Sequence, residues 1–372
     1  MKKIFIVFIS FIFVMSINAF EVDINSDYAF VYNVKENKIM SELESDKQIP
    51  IASLTKIMTA IIVIENSDLS KEVTIIDSDL RDMYEYAIAG FTPGDKVTVK
   101  DLLYGVLLPS GSDAVNAVVR VTSGSEEDFV KLMNDKVKEL GLNNTHFSNP
   151  IGKDEDNYST MSDMAKILEY ALDNNVFKEI FTTSSYNINN LILKGPLSKF
   201  DFNMVSGAKT GFTYAAMYCF ASFSKKENFD YIVVTAHSDS YKNVMNDHEK
   251  IYNYYFSNYS YRNYNVNFDI KIKNGKEDFY NVNIDEKLYL NNEIKDNDIT
   301  YKYKGINEIN KDIKKDEKLG TVTIYNKGEL LKTIDIYLEK ELEYKNYIWL
   351  LIPIGVIFIL LLLFKNRKKK KR

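Results

Sequence analysis

Residues 51–65 read IASLTKIMTAIIVIE, and we expect this run to form the centre of the fold. Its apolar residues recur at the spacing of one helix face, at Leu54, Ile57, Met58, Ile61 and Ile62. The remaining sides of the run are largely apolar too, so such a helix needs neighbouring elements around it. The sequence therefore predicts a buried central helix that begins close to Ser53.

Strand patterns lie on both sides of a helical middle region. Before the central run, residues 28–34 alternate like a strand, and the polar turn at 35–38 indicates a hairpin. Helical patterns follow at 101–108, 113–120, 126–140 and 162–172. From residue 204 onward the pattern is that of strands, as at 217–223 and 231–236. This order predicts an α+β fold, with helices packed on one antiparallel sheet.

A second region, residues 261–342, contains short alternating segments separated by polar turns, for example at 266–270 and 321–325. Such spacing is typical of a small all-β domain. We therefore predict a first domain at 20–258 and a small β-rich C-terminal domain at 261–342.

The N-terminus resembles a targeting segment rather than part of the fold. Lys2 and Lys3 precede an apolar run to Val14, and a cleavage site is plausible after Ala19. We predict a signal peptide at 1–19, the alternative being an uncleaved N-terminal anchor.

The C-terminus has the pattern of a membrane anchor. Residues 347–364 are 18 consecutive uncharged residues, long enough to span a bilayer as a transmembrane helix. The tail at 365–372 carries seven cations, which favours the cytoplasmic side. We therefore predict a single-pass plasma-membrane protein with an extracytoplasmic body. A buried core helix is the less favoured alternative, because the basic tail must remain in water.

Charge and residue counts exclude several classes of function. Without the two cations of the leader and the seven of the tail, 38 basic residues remain against 52 acidic ones, a net charge of −14. A body this acidic repels nucleic acid, so we expect no nucleic-acid partner. Cys219 is the single cysteine, so no internal disulfide can form. The three histidines, His146, His237 and His248, argue against a zinc site and against a histidine-based serine hydrolase. We expect no metal and no cofactor.

The first motif with chemical potential is Ser53 followed three residues later by Lys56. The two side chains share one helix face. A serine hydroxyl needs a base to become a nucleophile, and a lysine whose pKa is lowered by apolar surroundings can be that base. Taken alone, the pattern is better explained by a helix cap followed by a lysine that extends into solvent.

Two further motifs are weak when considered singly. Ser110 and Ser112 lie in the loop 108–114 between two apolar helices, where Asp113 is most simply a helix cap. Lys209, Thr210 and Gly211 begin the later strand region. A lysine cation and a threonine hydroxyl can bind a carboxylate, and a glycine lets the strand backbone approach it closely. An ordinary edge strand with a solvated lysine is the plainer interpretation.

The three motifs in this order, 57 and 99 residues apart, match the signature of penicillin-binding proteins and class A β-lactamases. The chain resembles the low-molecular-mass penicillin-binding proteins, specifically the D-alanyl-D-alanine carboxypeptidases. Further segments carry the likeness, at 51–59, 91–95, 140–147 and 158–160. The resemblance implies a β-lactamase/transpeptidase-like fold, followed by the small all-β domain and the C-terminal transmembrane helix.

This resemblance also implies roles for individual residues. Ser53 is the expected nucleophile, Lys56 its base, and Ser110 a proton relay toward the leaving D-alanine. Lys209 and Thr210 would hold the terminal carboxylate of the substrate. The backbone N–H groups of Ser53 and Phe212, beside Gly211, would form the oxyanion hole. The implied partners are peptidoglycan stem peptides ending in D-Ala-D-Ala, with β-lactams as covalent inhibitors. Ser112 stands where the family usually has an asparagine that contacts the substrate amide.

Three alternatives remain open at this point. A class A β-lactamase needs a deacylating glutamate, and Glu139 matches that local pattern, although we expect it on the solvated side of its helix. A related DD-endopeptidase would share the same motifs. A catalytically weak, wall-binding protein is suggested by Ser112.

Overall fold

The computed structural model describes residues 20–81, 86–198, 204–226, 229–346, 352–353 and 355–361. The predicted leader and basic tail lie outside these residues, as does about half of the predicted span at 347–364. The described part of that span is helical. Across the described residues, none of the helices combines the length and the apolar character needed to cross a membrane. The chain forms two compact units, Met1–Ser257 and Asn258–Arg372.

The strands of the first unit are β1 Tyr28–Asn33, β2 Lys38–Leu43, β3 Ile49–Pro50, β4 Glu72–Thr74, β5 Lys96–Thr98, β6 Tyr158–Ser159, β7 Ser185–Ile188, β8 Leu191–Lys194, β9 Gly207–Thr213, β10 Met217–Lys226 and β11 Phe229–Ser238. Five of them form the main sheet in the order β2-β1-β11-β10-β9, with every neighbouring pair antiparallel. The predicted first hairpin is therefore confirmed, and the sheet ends at β9.

The helices are α1 Thr55–Asn66, α2 Val99–Leu107, α3 Ser112–Thr122, α4 Glu126–Glu139, α5 Met161–Asp173, α6 Asn175–Phe181 and α7 Tyr241–Asn258. Helix α1 contacts each of α2 to α6, and Ile57, Met58 and Val63 on it have no exposed surface. The prediction of a buried central helix is confirmed. Its start differs, because Ala52–Leu54 form a 3-10 turn that carries Ser53 ahead of the α-helix.

Helix α7 contradicts the prediction that everything after residue 204 is strand. His248 on α7 lies between Ser222 Oγ on β10, 2.7 Å from Nδ1, and Thr235 Oγ1 on β11, 2.9 Å from Nε2. The residues adjacent to these two, such as Ala221 and Val234, point into the main core. Since side chains alternate across a strand, α7 covers the other face of the sheet.

The second unit is described by itself. It contains β12 Tyr259–Ile272, β13 Phe279–Asn291, β14 Ile299–Gly305, β15 Glu308–Ile309, β16 Lys318–Asn326 and β17 Glu329–Tyr337. These strands form two three-stranded sheets, β13-β12-β15 and β14-β16-β17. A separate apolar core includes Val266, Ile270, Val322 and Ile324.

Candidate active site

Two neighbouring backbone segments, at Gly152 and at Gly211, lie very close to the turn that carries Ser53 and fix its position. Ala52 has a left-handed backbone with φ of +47°. A Cβ on Gly152 would lie 2.0 Å from the Ala52 carbonyl oxygen, and one on Gly211 would lie 3.0 Å from the Ser53 nitrogen. Only glycine permits such approaches without displacement of the neighbouring chain. The Ser53 hydroxyl is therefore presented by a strained turn between β9 and the loop at 148–157.

Lys56 lies beside this hydroxyl, with 1% of its surface exposed. Its Nζ donates hydrogen bonds to Ser53 Oγ at 3.0 Å and to the Ile151 carbonyl oxygen at 2.9 Å. Burial lowers the pKa of Lys56 to about 7, and the negative charge of Asp113 acts in the opposite direction. Since desolvation disfavours the ammonium form, a neutral amine is populated near neutral pH. Such an amine can accept the proton of Ser53.

Asp113 does not cap its helix, so the simpler interpretation of this residue was wrong. Helix α3 has no side-chain cap, with Gly111 at its N-cap position. The Asp113 carboxylate instead accepts hydrogen bonds from the backbone N–H groups of Ala89, Gly90 and Phe91, at 2.7 to 3.1 Å. It thereby ties the loop at 86–91 to the beginning of α3, which forms one wall of the cleft.

The second and third motifs meet directly. Lys209 on β9 is completely buried, and its Nζ donates to Ser110 Oγ at 2.9 Å and to the Thr210 carbonyl oxygen at 2.8 Å. The interpretation of Lys209 as a solvated lysine is therefore wrong, although β9 is an edge strand as that interpretation assumed. Ser110 has a left-handed backbone with φ of +65°. Two residues 99 positions apart thus form one hydrogen-bonded pair beside the cleft.

Most of the predicted site residues line one cleft of about 630 Å³. Its lining includes Ser53, Lys56, Ser110, Ser112, Thr210, Gly211 and Phe212. Lys209 is not part of the lining, but its Nζ donates a hydrogen bond to Ser110, which is. Ser112 lies in the wall with no exposed surface, and its Oγ has no hydrogen-bond partner. A buried polar group without a partner is costly, so this hydroxyl does not contribute to the stability of the fold.

The loop at 148–157 was missed by the sequence analysis. Asn149 Oδ1 accepts from three successive backbone N–H groups, those of residues 151 to 153. Asn157 Nδ2 donates to the Asn149 carbonyl oxygen and to Thr55 Oγ1. These two buried asparagines place the Ile151 carbonyl against Lys56. The sequence contains the clue of two asparagines eight residues apart, but their role depends on backbone groups that a motif does not show.

Glu139 is not placed as a deacylating glutamate. Its side chain is 62% exposed, it pairs with Lys136 at 2.8 Å, and it does not line the cleft. The expectation that it lies on the solvated side of its helix is confirmed.

A serine beside a buried amine, with a second hydroxyl and a second buried cation across the cleft, is the arrangement expected of a serine acyl-transfer enzyme. The comparisons agree with that class. The family described as D-alanyl-D-alanine carboxypeptidase matches residues 15–240. The chain belongs to this family of serine hydrolases, which confirms the resemblance given by the motifs.

Individual relatives extend the match over most of the chain. The D-alanyl-D-alanine carboxypeptidase DacF of Bacillus subtilis is 32% identical over 332 residues, which cover 84% of each protein. Penicillin binding protein 5 of Haemophilus influenzae has the same fold, with 22% identity and a TM-score of 0.69 over 86% of this chain and 98% of that one. A mutant DD-transpeptidase of Streptomyces, 29% identical, matches with a TM-score of 0.60 over 63% of this chain and 99% of that one.

Proposed function

We propose that this enzyme removes the terminal D-alanine from peptidoglycan pentapeptides through an acyl-enzyme on Ser53. The observation that carries the proposal is the 3.0 Å contact between Lys56 Nζ and Ser53 Oγ inside the cleft that also holds Ser110 and Thr210. A nucleophile and its base within hydrogen-bond reach are the minimum that acyl transfer requires.

The first half-reaction is acylation. Neutral Lys56 accepts the proton of Ser53 as Oγ attacks the carbonyl carbon of the penultimate D-alanine. The backbone N–H groups of Ser53 and Phe212 stabilise the oxyanion. Ser110, which accepts a hydrogen bond from Lys209 Nζ, relays a proton: it donates its hydroxyl proton to the leaving amine and takes up the proton that Lys56 accepted from Ser53, which returns Lys56 to the neutral amine. The peptide bond breaks, D-alanine leaves, and an ester on Ser53 remains for water to hydrolyse.

Recognition of the substrate is assigned to the β9 side of the cleft. Lys209 supplies the positive charge and Thr210 the hydroxyl for the terminal carboxylate. Gly211 keeps β9 close to the turn that carries Ser53, because a Cβ at this position would lie 3.0 Å from the Ser53 nitrogen. The family resemblance assigns the contact with the substrate amide to the position of Ser112, whose hydroxyl is buried and unpaired in the wall of the cleft. β-Lactams, which imitate the D-Ala-D-Ala terminus, would acylate the same serine.

The membrane topology is proposed from sequence. The uncharged residues 347–364 and the seven following cations support a C-terminal transmembrane helix, and 1–19 a cleaved leader. The body would face outward, where peptidoglycan is located. Residues 261–342 would form a small all-β domain without catalytic groups. Protease treatment of intact cells tests this topology, because an extracytoplasmic body should be digested while the basic tail is protected.

D-alanine release tests the activity. The protein is incubated with a pentapeptide ending in D-Ala-D-Ala, and the released D-alanine is measured against a Ser53→Ala control. We expect release by the native chain and none by the variant. A cross-linked peptide dimer serves as the second substrate. Faster cleavage of the dimer would replace the carboxypeptidase assignment with an endopeptidase, and equal release by Ser53→Ala would refute the mechanism.

A further inference from the structure

The second unit has a polar surface on the longest hairpin of the chain. Strands β12 and β13 pair in antiparallel register along almost their whole length. At positions 263–272 and 279–287, exposed residues alternate with residues that are buried or half-buried. Because successive side chains point to opposite faces of a strand, the exposed residues share one face. Half of the ten are asparagines, and we call these five the amide face: Asn263, Asn265, Asn267, Asn281 and Asn283.

The asparagines of this face do not serve the strands that carry them. Asparagine is a poor strand former, whereas threonine is a good one. In the other sheet of the same unit, outward positions of neighbouring strands carry threonine and lysine: Thr300, Lys302, Lys304, Thr321, Thr323 and Thr333. The amide face therefore gives up strand propensity that the second sheet retains, which points to a role other than folding.

Much of the hydrogen-bonding capacity of the amide face is free. Asn281 Nδ2 donates to Asn267 Oδ1 at 2.7 Å and to Asp269 Oδ1 at 3.0 Å. The side chains of Asn263, Asn265 and Asn283 make no hydrogen bond to any other residue that the structure describes. Each of these three amides offers two N–H donors and one carbonyl acceptor. The face can thus donate to and accept from a ligand at several points.

The charges around the amide face nearly cancel. Its exposed positions include two carboxylates, Asp269 and Asp285, and two ammonium groups, Lys271 and Lys287. Glu308 on the neighbouring β15 pairs with Lys271 at 3.4 Å. A surface with so little net charge does not select a charged polymer. It is complementary to an uncharged polymer that is rich in hydroxyl and acetamide groups.

The dimensions of the face suit an extended chain. From Asn263 to Lys271 the strand covers about 26 Å, which is room for several sugar rings. Phe279 lies opposite Lys271 at one end of the same face, and its side chain is 56% exposed. An exposed aromatic ring packs against the C–H groups of a sugar, while planar amides bond to the hydroxyl and acetamide groups.

We propose that the amide face binds an uncharged glycan strand of N-acetylated sugars, the polymer to which the proposed stem-peptide substrates are attached. This inference rests on the proposed function for the choice of polymer. It assigns a binding role to a unit that supplies none of the acyl-transfer groups. A bound strand would raise the effective concentration of stem peptides around the enzyme.

Isothermal titration of the full-length protein in detergent with the hexamer of β-1,4-linked N-acetylglucosamine tests the face. Cellohexaose, which lacks the acetamide groups, is the matched ligand. We expect the hexamer to bind and cellohexaose to bind at least about threefold more weakly, since hydrogen bonds to the acetamides are lost. No binding of the hexamer, or equal affinity for both sugars, would overturn the proposal.

A triple variant, Asn263→Thr with Asn265→Thr and Asn283→Thr, connects binding to the face. Threonine favours the strand, so Tm should stay the same or rise, while affinity for the hexamer falls about tenfold. The control replaces Thr321, Thr323 and Thr333 with alanine on the outward side of the other sheet and should bind as the native chain does. Undiminished affinity in the asparagine variant, or an equal loss in the control, would overturn the proposal.

D-alanine release from a soluble pentapeptide separates this inference from the proposed function. The asparagine variant should release D-alanine at the native rate, because its substitutions lie in the second unit. A native chain that binds the hexamer but releases no D-alanine would refute the proposed function and leave the glycan site standing. Release of D-alanine without binding of the hexamer would refute the glycan site alone.

Discussion

The proposed role of Lys56 as a base depends on its burial and not only on its being a lysine. An exposed lysine is protonated at neutral pH and cannot accept a proton. Here the surrounding core removes water from the amine, which lowers its pKa to about 7. Asp113 acts against this effect, but its carboxylate is also engaged by three backbone N–H groups. The site thus retains a neutral base next to a structural carboxylate.

The pKa of Lys56 predicts how acylation depends on pH. Only the neutral amine is a base, and its fraction rises as pH increases through about 7. The second-order rate of acylation by benzylpenicillin should therefore rise about tenfold per pH unit below pH 7 and level off above it. Stopped-flow measurements across this range provide the profile. A rate that is constant through neutral pH, or that falls as pH rises, would contradict a lysine base.

A substitution at Ser112 can separate an effect on stability from an effect on activity. Its buried Oγ lacks a partner, and an unsatisfied buried polar group costs about 1–3 kcal/mol. Ser112→Ala should therefore leave Tm unchanged or raise it. If the hydroxyl contacts the substrate amide, the same variant lowers kcat/KM for D-alanine release by about three- to tenfold. A lower Tm with unchanged kcat/KM would show that Ser112 has a structural role instead.

At the scale of elements, the site depends on the loop at 148–157, which packs closely against the turn that carries Ser53. Asn149 and Asn157 shape the loop, and Gly152 brings it against the Ala52 carbonyl. The loop supplies the Ile151 carbonyl oxygen to Lys56. Its position therefore affects both the nucleophile and the base.

Two glycine substitutions measure this contact. Gly152 and Gly141 both have positive φ, +83° and +67°, so alanine at either is strained by about 1–2 kcal/mol. Only at Gly152 does the new Cβ also meet the Ala52 carbonyl oxygen, whereas at Gly141 it meets nothing within 4 Å. We expect Gly152→Ala to lower penicillin acylation more than tenfold and Tm further than Gly141→Ala does. Equal effects of the two variants on acylation would refute the role of the loop contact.

The elements that the sequence predicted are those with plain apolar periodicity. Helices α1 to α5 were found with end shifts of a few residues. Helix α7 was missed because its buried positions include His248, Tyr252 and Tyr255, which an aliphatic pattern does not count. Helix α6 was missed because it is only seven residues long and begins next to the end of α5.

The sequence could predict those parts of the site that depend on which side chains are present. Ser53, Lys56, Ser110 and Lys209 meet as the motifs suggested. What the sequence did not show was the contribution of backbone groups, such as the Ile151 carbonyl, and the bonding of Asp113 to the loop at 86–91. These depend on three-dimensional packing, which a one-dimensional motif does not record.

At the scale of the whole molecule, every proposed catalytic group lies in the first unit. Its core is continuous around α1, and the second unit has a separate core. A chain of residues 20–258 contains the main sheet, α1 to α7 and the cleft. The chemistry should therefore be independent of residues 259–372.

Truncation tests that independence. We expect residues 20–258 to unfold cooperatively and to react with benzylpenicillin within about threefold of the rate of the full-length protein. Thermal unfolding and acylation kinetics are the two measurements. A truncated chain that folds but acylates far more slowly would show that the second unit contributes to the site.

Under the proposed mechanism Ser53 forms the covalent bond, with Lys56 as its base. Mass spectrometry after digestion of the benzylpenicillin-treated protein tests it most directly. One penicilloyl adduct is expected on the peptide that contains Ser53, and none should form in Ser53→Ala. An adduct on another residue of the native chain, or one that persists in Ser53→Ala, would contradict the account.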